Sequence, residues 1–394
     1  MLERKGFGKM QIEENKLCCG CGACKNICPK SAITMTQNDK GFYVPQIDKL
    51  KCIECGMCDN ICPVFNYTLK NNNPKSYALL NKDNEKRYNS SSGGAFICFA
   101  ENIIENNGVV YGAIFDGNTQ SVKHKRAVDT ETVKLMHGSK YVQSSIDDTY
   151  RLAKNDLDDG KKVLFSGTPC QIAGLNNFLR KSYDNLVTID LVCHGSQSPA
   201  VFSKYITEYK EEHKNETLLN INFRSKKNGW GKYLTAVTTT TGIYYIFKDY
   251  YPNIMDLSIN ECCTNCNFAR LPRIADVTIG DFWGIDDYKK TLNDGKGTSV
   301  VLINSQKGGE LFNIIKDKCI TEEVPLPAAI IKNPNIKTST KPHPRCDDFF
   351  KEFMEGKTSL KKLSKKYVKT YPCILKMFYK LMPQGIKNLI KNIY

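Results

Sequence analysis

CCGCGACKNICP at residues 18–29 and CIECGMCDNICP at residues 52–63 are two copies of one pattern, thirty-four positions apart. In each copy the cysteines fall as C-x2-C-x2-C-x3-C-P: Cys18, Cys21, Cys24 and Cys28, then Cys52, Cys55, Cys58 and Cys62. Three thiolates two residues apart wrap a tight loop around one iron–sulfur cube. The fourth begins a helical turn that carries it to a second cube. Pro29 and Pro63 then bend the chain away, having no N–H to lose. Zinc sites do not fit, since they use two C-x2-C pairs with no third cysteine and no trailing proline.

The spacing is that of two-cluster bacterial ferredoxins, so crossed ligand sets are expected. Cys18, Cys21, Cys24 and Cys62 should hold one 4Fe-4S cluster, and Cys52, Cys55, Cys58 and Cys28 the other. Cys19 is irregular. It stands beside a ligand, aligns with Ile53 in the second copy, and reads as a spare thiol.

At 394 residues the chain is too long for a ferredoxin alone and suggests two or three domains. Its 41% hydrophobic and 10% aromatic content suits a chain with a substantial core. Eighteen cysteines in a chain opening on MLERKGFGKMQIEENK, with no apolar signal region, imply thiolates kept for iron in a reducing cytoplasm. No apolar run approaches the roughly eighteen residues a membrane span needs. The net charge of +15 is concentrated at the end: Gly356 to Tyr394 holds ten lysines and no acid. That argues against a nucleic-acid partner for the whole protein.

Around these runs, residues 8–66 read as a two-cluster ferredoxin-type domain, with a small hairpin around Asp39-Lys40-Gly41. A polar linker with Asn71-Asn72-Asn73-Pro74 follows. Strand-like and helix-like segments then alternate over 76–160 and 161–340, and a basic helical tail covers 341–394. The expected fold is α+β or α/β: a small ferredoxin-type domain fused to a mixed sheet covered by helices. Ser198-Pro199 is a helix start, a cap followed by proline at the first helical position.

A second set of cysteines stands where strands should end. Cys170 in VLFSGTPCQ and Cys193 in TIDLVCHG each close a strand, and CTNC supplies Cys263 and Cys266. Ligands of open α/β sheets gather at the carboxyl ends of strands, and a helix N-terminus favours a thiolate at Cys170. A third metal site and a set of buried structural cysteines are both consistent with the pattern.

The segments SSSGGAFICFAENIIENNGVVYGAIF, HGSKYVQSS, LFSGTPCQIAGL, DLVCHGSQSP, FRSKKNGWG, CTNCNFARLPRIADVTIGDFWG and KGTSVVLIN resemble the coenzyme F420 hydrogenase/dehydrogenase beta-subunit family. The resemblance runs from about Ser90 to Asn304. It implies FAD and a third 4Fe-4S cluster held by Cys170, Cys193, Cys263 and Cys266, with Cys262 as the alternative to Cys263. Ser92, Gly93 and Gly94, opening a helix, are the candidate phosphate-binding turn, although such a turn is also an ordinary helix cap. Ser139, Lys140, Tyr141 and Gln143 are further flavin candidates, and Gly167 and Thr168 fall between the flavin and Cys170. Lys140 could stabilise an anionic reduced ring and His194 could handle protons; a histidine simply packed beside the cluster is equally consistent. Asp281, Phe282 and Trp283 are expected to shape the pocket, or Asp281 to serve a turn.

The function implied is a cytoplasmic oxidoreductase passing electrons between a one-electron carrier, such as a ferredoxin-like partner, and a small organic substrate or deazaflavin coenzyme. The alternative is a subunit that only relays electrons to a larger enzyme. The tail places Leu375, Phe378, Tyr379 and Met382, then Ile386, Leu389, Ile390 and Ile393, in apolar stripes among lysines. A helix packed on the protein is the expected reading, with weak contact to an anionic membrane surface as the other.

Overall fold

The computed structural model describes residues 12–368, apart from 14, 69–72, 214–215, 233 and 247–250. The tail stripes from Leu375 to Ile393 and part of the linker therefore lie outside the described residues.

Each cysteine run turns through glycine into a short helix, Ala23–Ile27 after Gly22 and Met57–Asn60 after Gly56, both glycines being left-handed. Between them strands β1 (Ile33–Gln37) and β2 (Tyr43–Ile47) form the expected antiparallel hairpin, Gln37 opposite Tyr43. Gly41 in its turn has φ +78°, and a Cβ there would stand 2.1 Å from Ala200 Cβ and 2.7 Å from Ser198 Oγ. The hairpin thus docks tightly on the start of helix Pro199–Glu212, where Ser198 Oγ donates to Lys40 O and accepts from Val201 N. Gly41→Ala should destabilise the protein by more than about 1 kcal/mol in chemical denaturation, from backbone strain and the clash together.

The rest of the chain supplies β3 (Lys75–Asn81), β4 (Val109–Asp116), β5 (Ser121–Ala127), β6 (Val163–Gly167) and β7 (Leu186–Leu191). It continues with β8 (Leu218–Ser225), β9 (Leu234–Thr239), β10 (Gly242–Ile246), β11 (Val277–Asp281), β12 (Ser299–Ile303) and β13 (Cys319–Val324). Eight of these make one mixed sheet in the order β13-β3-β12-β11-β7-β6-β4-β5. Strands from both sides of residue 160 pair with one another in it, β3 between β13 and β12 and β4 beside β6, so the 160/161 boundary falls inside a single hydrogen-bonded unit. β8, β9 and β10 form a separate antiparallel sheet.

The neighbours β4, β6, β7 and β11 run parallel, and β6 is buried along its whole length, as strands covered on both faces must be. Helix Ala95–Glu105 packs Ile97, Phe99 and Ile103 against one face with Leu164, Ile189 and Phe312. Tyr150, Ile172 and Phe178 cover Tyr111 and Phe165 on the other. Each such side chain contributes roughly 1.5–3 kcal/mol through burial. The carboxyl ends of β4, β6, β7 and β11 therefore share one edge, where the cysteines of interest emerge. A third apolar layer joins helix Pro199–Glu212 to helices Cys346–Met354 and Leu360–Tyr367, and Phe350 meets Phe42 of the ferredoxin hairpin edge-on at 6.0 Å. No helix among the described residues is long and apolar enough to cross a membrane.

Candidate functional site: three thiol-lined cavities at the sheet edge

The crossing expected from the cysteine spacing is present in the fold. One cavity is lined by Cys18, Cys21, Cys24 and Cys62, and a second by Cys28, Cys52, Cys55 and Cys58. The short helices do this, each carrying its fourth cysteine across to the other cavity. Backbone N–H groups point at the sulfurs: Gly20 N to Cys18 Sγ and Glu54 N to Cys52 Sγ, both 3.4 Å, and Ala32 N to Cys28 Sγ, 3.3 Å. Burial pushes the Cys18 and Cys58 thiols up to about 11, so a positive metal core is what would hold them as thiolates. The four thiols of each crossed set, with N–H···S support and with Cys19 as a fifth at the first cavity, fit a four-iron cluster. No group of three His, Cys, Asp or Glu among the described residues is drawn tightly enough for a single metal ion.

A third cavity lies at the carboxyl ends of β6 and β7. Cys170, Cys193, Cys262, Cys263 and Cys266 line it, together with His194 and Cys19. Cys170 is the second residue of helix Pro169–Leu179, where the dipole favours negative charge. Its Sγ is 3.1 Å from Thr168 Oγ1. Cys262 and Cys263 sit in the turn Glu261–Thr264, which Asn260 caps through Cys262 N. Their sulfurs are 4.0 Å apart, and either thiol can donate to the other. Burial pushes Cys266 up to about 11.

Cys19 is the residue that spacing missed. It lines the first cavity beside Cys21 and the third beside Cys170. A cysteine directly beside a ligand carries no spacing signal of its own; only its pairing with Ile53 in the repeat marks the position. His194 stands at the rim of the third cavity, partly exposed, with Nε2 2.7 Å from Asp256 Oδ1 and Nδ1 3.3 Å from Thr340 Oγ1. The hydrogen bond to Asp256 raises its pKa above the ordinary value.

The flavin candidates divide into two groups. Ser92 Oγ donates to Thr298 O (2.7 Å), and Ser139 N to Ser91 Oγ (2.7 Å). Tyr141 OH accepts from Arg224 Nη1 (3.3 Å), and Arg224 in turn pairs with Asp281. Trp230 Nε1 donates to Asp281 Oδ1 (2.9 Å), and Trp230 stacks on Trp283 with centroids 4.7 Å apart. Lys226 Nζ reaches the carbonyls of Arg87, Ser92 and Lys296, and burial pulls it down to about 7. Segments distant in sequence thus meet beside an eleven-residue helix whose N-cap, Gly94, makes no side-chain cap. Packing already requires glycine at position 93, where a Cβ would lie 2.1 Å from Leu79 O. Asp281 is held by Arg224 and Trp230 and is more than a turn residue, while Arg224, Lys226 and Trp230 were not singled out from sequence.

The other candidates lie elsewhere. Gln143 joins the domains, accepting from Tyr43 N (2.8 Å) and donating to Cys19 O (3.2 Å). Gly167 and Thr168 sit by Cys170, with Thr168 N donating to Gln171 Oε1. Lys140 Nζ donates to Leu135 O and His137 O, closing the turn after helix Thr130–Lys134, and burial lowers it to about 7.

Residues 17–66 match the family model of the 4Fe-4S dicluster domain. Residues 160–328 match that of the C terminus of the coenzyme F420 hydrogenase/dehydrogenase beta subunit. No curated protein matches the chain. It is similar to a chain of the F420-reducing [NiFe] hydrogenase complex from Methanosarcina barkeri, determined with xenon, at 16% identity and a TM-score of 0.44 over 76% of this chain and 90% of that one. The chain thus joins a stretch that matches the 4Fe-4S dicluster domain to a stretch that matches the C terminus of the coenzyme F420 hydrogenase/dehydrogenase beta subunit.

Proposed function

We propose that this chain is an FAD-dependent iron–sulfur oxidoreductase, exchanging electrons between a one-electron carrier and an organic substrate or deazaflavin coenzyme. The crossed sets Cys18, Cys21, Cys24, Cys62 and Cys28, Cys52, Cys55, Cys58 would hold two 4Fe-4S clusters, and Cys170, Cys193, Cys263 and Cys266 a third. The observation that carries this reading is the position of Cys19, which lines both the first cavity, with Cys21, and the third, with Cys170, so that the two cavities adjoin. When bound, the clusters supply single-electron steps and the flavin the change to two-electron chemistry.

The protein's own contribution is charge and placement. The start of helix Ala95–Glu105, with Arg224 and Lys226 close by, offers N–H groups and positive charge for a pyrophosphate or an anionic ring. His194, oriented by Asp256, can hold and release a proton beside the third cavity.

Photoreduction or reduced methyl viologen, applied anaerobically to the purified chain alone, should bleach a bound flavin. Arg224→Met should lower FAD retention by at least about tenfold, because it also leaves the largely buried Asp281 without its cation. A chain that purifies with its iron but neither holds nor takes up FAD would contradict the flavin reading.

A further inference from the structure

The two cysteine loops share one backbone shape. Gly20 and Glu54, each two residues after the first cysteine, have φ +66° and +49°, and Gly22 and Gly56 have φ +71° and +69°. Both loops direct the same N–H at the same sulfur over the same 3.4 Å. Their surroundings differ completely. In the first loop the residue after the first cysteine, Cys19, lines the third cavity together with Cys170. Its counterpart Ile53 is 56% exposed at the rim of the second cavity, beside Leu50, which is 99% exposed, and exposed Cys55. The position that meets the next thiol site in one loop therefore meets solvent in the other.

Charge surrounds that apolar spot unevenly. Lys30, Lys49 and Lys51 are exposed around it, against exposed Glu54 and a half-buried Asp48 that Lys51 pairs with at 2.8 Å. Apolar centres with charged rims are how small, transient redox interfaces combine contact with steering.

We propose that Leu50 and Ile53, with Lys30, Lys49 and Lys51, form the docking face for a small acidic one-electron carrier protein. This rests on the reading of Cys28, Cys52, Cys55 and Cys58 as a cluster site. The carrier presents carboxylates to the lysines and its own apolar contact to Leu50 and Ile53, bringing its redox centre to the exposed side of the Cys55 loop.

The test is binding, measured by calorimetry at low salt between the anaerobic, iron-loaded full chain and an acidic plant-type 2Fe-2S ferredoxin. The double variant Leu50→Ser/Lys49→Glu should weaken binding at least about tenfold, and raised salt should weaken the native complex. Lys134→Glu, an equal charge change on helix Thr130–Lys134 of the other domain, should alter it less than about twofold. Equal affinities for the native chain and the double variant, with iron intact in both, would overturn the docking face alone. So would tighter binding of a basic carrier such as cytochrome c. A native chain lacking the iron of this loop would overturn the cluster reading and the docking face with it.

Discussion

Arg273→Leu should destabilise the protein by about 3–5 kcal/mol and abolish the iron binding proposed for the third cavity. Arg273 and Asp190 form an ion pair in which both side chains are 0% exposed, at 3.0 Å. The same guanidinium donates to Phe268 O and Leu191 O and lies 3.3 Å from Thr278 Oγ1. One side chain therefore ties the loop that follows Cys266 to β7, the strand that delivers Cys193. Leucine would leave the Asp190 carboxylate buried without its cation, which costs far more than a lost surface pair. Arg273→Lys keeps the charge but not the planar fork, and should fall between the two. Denaturant unfolding of the iron-loaded protein measures this; a loss under about 1 kcal/mol would show that the pair does not anchor the loop.

Cys170→Ser should remove about four of roughly twelve irons and one of three reduced-cluster EPR signals, leaving the ferredoxin pair unchanged. Serine keeps the size of the side chain but not the soft thiolate that iron needs. Within the adjacent pair, Cys263→Ser should do the same and Cys262→Ser should not, since Cys263 forms the C-x2-C pair with Cys266. Iron loss from Cys262→Ser alone would reverse that assignment.

What could be read from the sequence was what has a short period or a fixed spacing. The cysteine runs pointed to both ferredoxin cavities, down to their crossing, because the ligands are local. The parallel strands were visible as apolar runs. β5 and β13 were not, and they are the two edges of the sheet: SVKHKRA buries only Val122, His124 and Ala127, and CITEEV carries Glu322 and Glu323. Charged edge strands block unwanted pairing and so lack the apolar signature of a strand. Contacts between distant segments were equally hidden. Arg273 and Asp190 are 83 residues apart, and Arg224 and Asp281 are 57 apart, with nothing local to pair them. The segments that carry Ser92 and Tyr141 meet through Ser91 and Ser139, whereas Gln143, two residues beyond Tyr141, faces the ferredoxin domain.

The three proposed clusters and the proposed flavin can be counted in one preparation. The decisive measurement is anaerobic purification with iron, sulfide and flavin quantitation, followed by EPR of the reduced protein. About twelve irons, as many sulfides and one FAD per chain are expected, with three cluster signals. About eight irons, two signals and no flavin would leave only the ferredoxin domain standing and contradict the rest.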